Sequence, residues 1–441
     1  MIKISLDRKG KNIGFDIDET FRAAILGENG IGKSTILRSI AEKKAVEDWL
    51  SLHVPAKTDV LYFSQIEKTD LPISGGEHTK QRIEKLFSQK ADIYVLDEPT
   101  NNLDKENVKW LKKYIIENKL KIIFSSHDIQ FIDDIAEVIF YLDSKSVEKS
   151  KETCSSYLIT RKKKVERAFV EYEINLKKRD KLEKSALALK QKSDAGTKWV
   201  NEDKVLQGFK RELAGKFGSA AAKRIKERAE RIDITEPEYD PIPRVVLKSE
   251  GKLKDILFSI SSKSVHNKKI NFSVNANSKL ILTGENGSGK TTFIKKLVSY
   301  LDKTKKPEGN DTFNTNCQFS YFYISQKWYE EIDEITVRKY LEDFGLSERD
   351  MYRSISYNNL DEKVIDRKFK DLSLGIRIKV LLGALSLKRY DLIIWDEPTN
   401  HLDVMTQYIL HQAFVDYNGS LVVITHDSKL LGDSDFSKIE V

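Results

Sequence analysis

The sequence of 441 residues predicts an α/β fold in which two similar domains flank an α-helical segment. A glycine-rich motif of the form G-x-x-x-x-G-K-[ST] occurs at residues 27–34 and again at 284–291. The same series of further motifs follows each copy, and a basic stretch of different composition separates the two series. We therefore expect one domain at residues 1–150 (the N-terminal half), a second at 241–441 (the C-terminal half) and a helical linker at 151–240.

Short apolar runs alternate with helical patterns in both halves, which is the arrangement that an α/β fold requires. In the N-terminal half the runs that predict strands are 23–26, 60–63, 93–96, 121–125 and 138–142. In the C-terminal half they are 280–282, 319–324, 392–395, 421–424 and 438–441. Each glycine-rich motif follows the first of these runs, so we expect a buried strand, a tight loop and a helix.

The two glycine-rich loops are expected to bind a polyphosphate. Glycines allow backbone N–H groups to curl around phosphate oxygens, and the helix that follows presents its positive end to them. Lys33 and Lys290 would reach the β- and γ-phosphates of ATP, and the hydroxyls of Ser34 and Thr291 would hold Mg²⁺. One match could be a chance turn, but two matches with the same downstream motifs predict a tandem ATPase. The residues assigned to nucleotide binding in these loops are Gly27, Asn29, Gly30, Gly32, Lys33, Ser34, Thr35, Gly284, Asn286, Gly287, Gly289, Lys290, Thr291 and Thr292.

Two adjacent carboxylates end a predicted strand in each half: Asp97 and Glu98, then Asp396 and Glu397. The first acid of each pair would bind Mg²⁺ through water, and the second would orient and deprotonate the attacking water. Adjacent side chains of a strand point in different directions, so neighbouring acids can take two roles. An acidic strand end that faces solvent is the simpler interpretation of one pair, but the pairs occupy matching places.

A glutamine and a histidine also recur at matching places. Gln65 and Gln326 each end a predicted strand and are expected to reach the metal ion and the water. His127 and His426 each follow the strand after the acidic one. A single histidine is usually a surface or core residue, whereas two at equivalent positions are expected to contact the γ-phosphate.

The linker differs from both halves in composition. Residues 151–232 contain 23 Lys/Arg and 12 Asp/Glu, a net charge of +11, which leaves −4 for the rest of the +7 chain. Helical spacing of apolar residues predicts one helix from about 155 to 190 and, after a break near 194–196, a second that ends at Ile232. The simplest arrangement is an antiparallel hairpin with Trp199 and Phe209 near its tip; a solvated linker is the alternative. The predicted apolar faces are Val165, Phe169, Tyr172 and Leu176, then Leu213, Phe217, Ala221, Ile225 and Ala229.

Composition argues against several classes of protein. No run approaches the roughly 18–20 apolar residues of a membrane span, and the N-terminus resembles a strand, not a signal peptide. The two cysteines, Cys154 and Cys317, match no metal-ligand spacing. We therefore expect a cytoplasmic protein.

A signature motif precedes each acidic strand by about 20 residues and begins a helix: Ser74-Gly75-Gly76, then Ser373-Leu374-Gly375. With this motif included, the order of motifs in both halves resembles that of ATP-binding-cassette (ABC) ATPases. In that family the signature of one domain caps ATP held by the other. The resemblance implies two groups of facing residues: Lys290, Glu397 and His426 with Ser74, Gly75 and Gly76, and Lys33, Glu98 and His127 with Ser373 and Gly375.

The C-terminal signature departs from the family pattern, because Leu374 replaces a glycine and Ile376 replaces a glutamine or glutamate. Leu374 is expected to crowd the γ-phosphate, and Ile376 loses a polar contact. The ATP site that this signature caps should therefore bind or hydrolyse ATP more slowly. The family's adenine-stacking aromatic residue cannot be assigned in either half.

Within the family, the chain resembles the ABC-F group. Two cassettes in one chain, Asp-Glu-Pro-Thr-Asn-x-Leu-Asp in both halves and a basic linker carry this resemblance. Members of the group bind ribosomes and insert the linker from the tRNA exit site towards the peptidyl-transferase centre. The resemblance implies a monomer that pairs its own cassettes, uses ATP and Mg²⁺, and contacts large-subunit RNA and tRNA.

The N-terminal half is too short for the arm subdomain of housekeeping members, because 41 positions separate Lys33 from Ser74 against 83 from Lys290 to Ser373. This length, the C-terminal signature and Trp395 are similar to members that protect ribosomes from antibiotics. A housekeeping factor that relieves stalled ribosomes is the alternative, and an ATPase subunit of a transporter is a weaker one.

Overall fold

The structure is a computed structural model that describes the chain except for residues 9–10, 19–21, 65–74, 102, 197–218, 252–254, 264–268, 285–287, 308–310, 316–317, 359, 401 and 426. The chain forms two compact units, one of residues 1–159 and 242–441 and the other of residues 160–241. Both glycine-rich loops lie in the first unit. Among the described helices, none is long and apolar enough to cross a membrane.

The N-terminal half contains a six-stranded sheet of order β5-β6-β7-β3-β8-β9, in which all neighbours except β8 and β9 are parallel. A separate antiparallel sheet has the order β2-β1-β4. The elements are β1 (Ile2–Arg8), β2 (Lys11–Ile17), β3 (Ala23–Gly27), α1 (Lys33–Glu42), β4 (Leu50–His53), β5 (Val60–Phe63), α2 (Gly75–Phe87), β6 (Ile93–Asp97), α3 (Lys105–Glu117), β7 (Ile122–Ser125), α4 (Ile129–Ile135), β8 (Val138–Leu142) and β9 (Val147–Ser150).

The C-terminal half repeats this plan with a parallel five-stranded sheet of order β14-β15-β16-β12-β17 and an antiparallel sheet of order β11-β10-β13. Its strands are β10 (Ile256–Lys263), β11 (Lys269–Asn275), β12 (Lys279–Thr283), β13 (Thr312–Thr315), β14 (Tyr321–Ile324), β15 (Leu392–Asp396), β16 (Ser420–Ile424) and β17 (Ser437–Glu440). Its helices, numbered after the two linker helices, are α7 (Lys290–Leu301), α8 (Trp328–Glu331), α9 (Val337–Asp343), α10 (Glu348–Tyr357), α11 (Leu374–Leu385), α12 (Val404–Asp416) and α13 (Ser428–Gly432).

The central strands of both sheets are the predicted apolar runs, and all ten strand predictions are confirmed within a few residues. β3, β6, β7, β8, β15 and β16 are buried at every position. Parallel strands covered on both faces read as continuous apolar runs, which is why the sequence identified them. Because these strands are parallel, the phosphate loops and the acids lie at the carboxyl edges of the sheets.

The two halves differ in the segment before the signature helix. In the C-terminal half, α8, α9, α10 and two short 3₁₀ turns (Glu362–Asp366 and Phe369–Asp371) occupy it. Their apolar side chains form a cluster of their own around Leu341, Ile355 and Phe369. In the N-terminal half only residues 64–74 separate β5 from α2.

The second unit contains most of the linker. α5 (Cys154–Gly196) extends six residues beyond the predicted end, and residues 219–230 form a second helix, α6. The Asn175 side-chain amide donates to the Asp233 carbonyl (3.0 Å), and the Tyr239 ring centre lies 4.9 Å from Lys164 Nζ. Contacts therefore move back along α5 as the chain moves forward from 233 to 239, so this segment runs antiparallel to α5. The antiparallel hairpin of α5 and α6 stays a prediction.

The predicted apolar faces of the linker need two corrections. Leu176 is 38% exposed, although Val165 on the same predicted face is buried. On α6 the prediction is wrong for Ala221, which is exposed while its neighbour Ala222 is buried; Ile225 is half-buried and Ala229 buried, as predicted. The predicted tip residues Trp199 and Phe209, and also Leu213 and Phe217, lie outside the described residues.

Candidate functional site

The N-terminal glycine-rich loop joins β3 to the start of α1. Gly32 precedes the helix with a left-handed backbone (φ 100°), so the backbone turns sharply at this point. The Lys33 ammonium donates to the carbonyls of Gly27 (2.9 Å) and Glu28 (3.0 Å) and therefore lies over the loop. Burial lowers the pKa of Lys33, while the nearby Glu98 and Asp403 favour its charged form.

The C-terminal loop has the same construction. Gly289 precedes α7 with φ 93°, and the Lys290 ammonium donates to the Gly284 carbonyl (2.9 Å). Burial lowers the pKa of Lys290, and Glu397 and Asp396 oppose this effect. Each lysine thus lies between its own loop and its own pair of acids, as a phosphate-binding ammonium should.

Both predicted catalytic glutamates have a strained backbone. Glu98 and Glu397 follow β6 and β15 with φ of 50° and 52°, a left-handed conformation that residues other than glycine rarely adopt. Their backbone N–H groups donate to the neighbouring strands, to the carbonyls of Ser125 (3.2 Å) and Ile424 (2.9 Å). This conformation points the two glutamate side chains in a direction that a regular strand would not give them. Backbone strain of this kind is common at functional sites.

Glu98 is also in an unusual electrostatic environment. Its side chain is 5% exposed, and burial raises its pKa to about 7 despite the nearby Lys33. The His127 backbone N–H donates to Glu98 Oε2 (3.0 Å), and His127 Nε2 lies 3.3 Å from Oε1. A carboxylate with a pKa near neutrality can exchange a proton with water at physiological pH.

The residues predicted to hold Mg²⁺ suit a hard cation. In the C-terminal half, both oxygens of Asp396 are buried without a hydrogen bond of normal geometry among the described residues. Burial raises the pKa of Asp396, and the Thr291 hydroxyl favours its charged form. In the N-terminal half, Asp97 accepts from the Ser125 hydroxyl (2.7 Å), and the Tyr62 hydroxyl lies 3.5 Å from its other oxygen. Carboxylate and hydroxyl oxygens close together are the donors that Mg²⁺ prefers.

The C-terminal signature lies against the N-terminal phosphate loop. A Cβ atom built on Gly375 would be 3.8 Å from Cβ of Asn29. Lys379, on the second turn of α11, forms a salt bridge with Glu28 (2.9 Å) that is mostly shielded from solvent. The signature helix begins as predicted, with Ser373 as its N-cap. The start of α11 therefore contacts the N-terminal phosphate loop, whereas the facing of Ser373 and Gly375 with Lys33, Glu98 and His127 stays a prediction.

The two unusual residues of this signature pack against apolar clusters. Leu374 is half-buried against the large cluster to which both halves contribute, and Ile376 packs against the cluster of α9 and α10. Packing accounts for their apolar character. The expected effect on ATP turnover stays a prediction.

A cavity of about 950 Å³ lies between the two halves at the C-terminal phosphate loop. His127 borders this cavity from the N-terminal half, although its imidazole contacts Glu98. The predicted residues of the C-terminal half that line the cavity are Gly289, Lys290, Thr291, Thr292, Gln326, Asp396 and Glu397. The structure thus brings together most of the described residues that we predicted for this site.

A second cavity, of about 540 Å³, adjoins the N-terminal loop and contains an aromatic residue that motif analysis missed. Gly30, Gly32 and Thr35 line it together with the half-buried Trp49, which precedes β4. Ser34, between these loop residues, is exposed. An indole beside a phosphate loop can stack on a nucleotide base.

Several predicted site residues lie outside the described part of the chain: Gln65, Ser74, Asn286, Gly287 and His426. Gly75 and Gly76 form the start of α2, as predicted for a signature helix. The pairing of the N-terminal signature with Lys290, Glu397 and His426 therefore stays a prediction.

Comparison with known proteins supports the ABC interpretation. A family model described as "ABC transporter" matches residues 267–400. The chain is 26% identical to the ribosome protection protein VmlR of Bacillus subtilis, over 98% of this chain and 83% of that protein. It is 26% identical to a probable ATP-binding cassette sub-family F member 3 homolog of Encephalitozoon cuniculi, over 98% and 78%. It is also 26% identical to ABC transporter F family member 2 of Arabidopsis thaliana, but spans only 50% of that protein.

Solved structures share the fold at low sequence identity. The archaeal ribosome recycling factor aABCE1, in complex with the stalk protein aP1, has a TM-score of 0.56 at 14% identity and covers 99% of this chain and 89% of its own. An RNase-L inhibitor has the same TM-score at 15% identity, with coverage of 97% and 85%. The similarity extends over both halves.

Proposed function

We propose that the chain is a member of the ABC-F group of ATP-hydrolysing cassette proteins, and that it binds the ribosome and protects it from antibiotics. The observation that carries the proposal is the basic helical stretch of the linker, residues 151–232 with a net charge of +11, between two ATPase halves. Lysines and arginines that neutralise RNA phosphates release counterions, so such a linker suits a tunnel lined by RNA. A relative named as a ribosome protection protein is 26% identical along 98% of the chain, which supports protection as the function.

Each feature that is repeated in the two halves has a role in ATP hydrolysis. Lys33 and Lys290 hold the β- and γ-phosphates, and Glu98 and Glu397 each accept a proton from the attacking water. His127 and His426 contact the γ-phosphate, and each signature caps the nucleotide of the opposite half. Trp49 stacks on the base in the N-terminal site.

Magnesium would be held by a small set of oxygen ligands in each site. These are Ser34, Asp97 and Gln65 in the N-terminal half and Thr291, Asp396 and Gln326 in the C-terminal half. When bound, Mg²⁺ would neutralise charge on the β- and γ-phosphates.

The linker carries the effect on the ribosome. Closure of the halves on ATP changes the orientation of the linker, so the nucleotide state determines how long the protein stays bound. The hairpin enters from the tRNA exit site and its tip approaches the peptidyl-transferase centre, where Trp199 and Phe209 stack on unpaired bases.

The pKa of Glu98 predicts a pH-dependent rate. In a Glu397→Gln variant, where Glu98 is the remaining base, ATP turnover should rise with pH through about 7. Glu98 must be deprotonated to accept a proton, so the rate at pH 6 should be about a tenth of its maximum. Steady-state ATPase measurements from pH 5.5 to 8.5 at constant ionic strength test this. A flat profile between pH 6 and 8 would rule out Glu98 as the base.

Removal of the linker tip, residues 193–210, tests the proposed function. Antibiotic protection should disappear, because stacking by tip aromatics is worth about 1–3 kcal/mol per base and would be lost. ATP turnover should stay near normal, since no catalytic motif lies there. Ribosome binding at low salt should also survive through the remaining basic helices. The measurement is drug susceptibility of bacteria that make intact or shortened protein at equal abundance.

Narrower variants give the matched control. Trp199→Ala/Phe209→Ala should lose protection, whereas Lys198→Ala/Lys210→Ala should mainly reduce the salt dependence of ribosome binding. Undiminished protection by the shortened protein would refute the proposal. If the intact protein gives no protection against any drug of the peptidyl-transferase centre but rescues stalled translation, the housekeeping function is correct.

A further inference from the structure

Two exposed lysines of α3, Lys105 and Lys109, line the cavity that contains the C-terminal phosphate loop. They are four residues apart and so project from one face of the helix. The opposite wall carries Lys290 and Thr291 at the start of α7. Cationic groups of the N-terminal half thus share one cavity with the phosphate loop of the C-terminal half.

Among the described residues, no acidic side chain pairs with Lys105 or Lys109. The acids of the same wall, Asp104 and Asp128, accept hydrogen bonds from backbone N–H groups as the N-caps of α3 and α4. Asp427 does the same for α13 on the opposite wall. The nearby Lys112 differs, since it forms a salt bridge with Asp134 (2.7 Å).

The lysine pair is joined by a third cation from the other half. Lys105 is exposed but partly desolvated, which lowers its pKa, and repulsion from Lys438 of β17 and from Lys109 adds to this effect. Repulsion between like charges that no acid neutralises raises the free energy of this region, and a bound anion would lower it. The cluster therefore fits a phosphate-bearing ligand.

The pair belongs to one of the two sites only. Lys105 and Lys109 follow Asp104 at the positions where Val404 and Tyr408 follow Asp403. Val404 and Tyr408 are 1% and 7% exposed on α12 and carry no charge. Both copies of the internal repeat thus have the capping aspartate, but lysines follow it only in the N-terminal half. This difference is expected when one of the two sites has an additional interaction.

We propose that Lys105 and Lys109 bind the terminal phosphates of a nucleoside triphosphate held by the C-terminal loop, as phosphate ligands supplied by the opposite half. The inference rests on the proposed function, because it takes the loop around Lys290 to bind ATP. The γ-phosphate distinguishes ATP from ADP, so the lysines increase selectivity for the triphosphate and favour approach of the two halves when ATP is bound.

The test measures binding of fluorescent ATP and ADP analogues to the full-length Lys33→Ala protein, in which the C-terminal site dominates binding. Lys105→Ala/Lys109→Ala should weaken ATP binding by about tenfold, because each exposed ion pair of a lysine with a phosphate contributes about threefold. ADP binding should weaken by less than about threefold. Lys113→Ala is the matched control, since Lys113 is an exposed lysine of α3 that does not line the cavity. Lys105→Arg/Lys109→Arg should restore most of the affinity.

Three outcomes would overturn the proposal. In the first, the double-alanine variant binds ATP as the Lys113→Ala protein does. In the second, it loses ATP and ADP affinity equally, which would exclude recognition of the terminal phosphate. Alternatively, nucleotide binding could stay unchanged while ribosome binding weakens, in which case the cluster binds RNA phosphates. A failure of the proposed function would give a different result from a failure of this inference. The Lys33→Ala/Lys290→Ala protein would then still bind ATP. Thermal melting of each variant controls for folding.

Discussion

Replacement of both Glu98 and Glu397 by glutamine is expected to lower ATP turnover by about 10²–10⁴-fold, the usual loss when general-base action is removed. ATP binding should persist, because glutamine has nearly the same shape as glutamate. The doubly substituted protein should then stay closed on ATP and co-sediment with ribosomes. Steady-state ATPase assays and sedimentation with and without ATP are the measurements.

The single variants test the asymmetry of the two sites. Glu397→Gln should reduce turnover more than Glu98→Gln, because the site at the N-terminal loop is the one capped by the unusual signature with Leu374 and Ile376. Equal losses would indicate that the two sites hydrolyse ATP only together. The reverse order would show that the interpretation of the C-terminal signature is wrong. Near-normal activity of the double variant would show that neither glutamate is the general base.

The central sheets could be predicted because burial on both faces leaves continuous apolar runs in the sequence. The antiparallel sheets were largely missed for the opposite reason. In β2, for example, only Ile13 and Ile17 are buried, and they are separated by exposed or half-buried residues. Such a strand gives a weak apolar signal, even though its partner β1 ends at Arg8, close to it in sequence.

Helical periodicity located the linker helices and the buried position of Ala229 on α6, but it selected Ala221 where Ala222 is buried. Three consecutive alanines, Ala220–Ala222, offer the same small apolar side chain in three directions. Packing selects Ala222, which is 6% exposed. A pattern of side-chain polarity cannot make this choice, because it depends on the neighbouring helix.

In the candidate site, the internal repeat predicted most of the residues. It also contains a repeated Glu/Lys pair that the sequence motifs do not include. The salt bridge between Glu28 and Lys379 joins positions that recur in the other half as Glu285 and Lys80. Lys80 lies 5.4 Å from the ring centre of Trp110, and Glu285 is outside the described residues. Trp49 belongs to none of the repeated motifs, and only the fold brings it beside the phosphate loop.

The glycines that begin the two phosphate loops should be among the most sensitive positions to substitution. Gly27 and Gly284 have φ of +145° and +153°, and a Cβ atom on either would lie 2.6 Å from a backbone oxygen, that of Leu142 or Val441. Alanine at either position should lower the free energy of unfolding by about 2–6 kcal/mol, from backbone strain and overpacking of about 1–3 kcal/mol each. The loop and its phosphate-binding N–H groups should be displaced as well.

Gly30 provides the matched comparison within the same loop. Its φ is +82°, but a Cβ atom there would meet nothing within 4 Å, so Gly30→Ala should cost only the backbone term of about 1–2 kcal/mol. Urea denaturation followed by tryptophan fluorescence compares the variants, and the midpoint for Gly27→Ala should fall well below that for Gly30→Ala. Equal midpoints would mean that β8 moves aside at little cost. In that case the requirement for glycine at residue 27 would come from the bound phosphate and not from the close approach of the neighbouring strand.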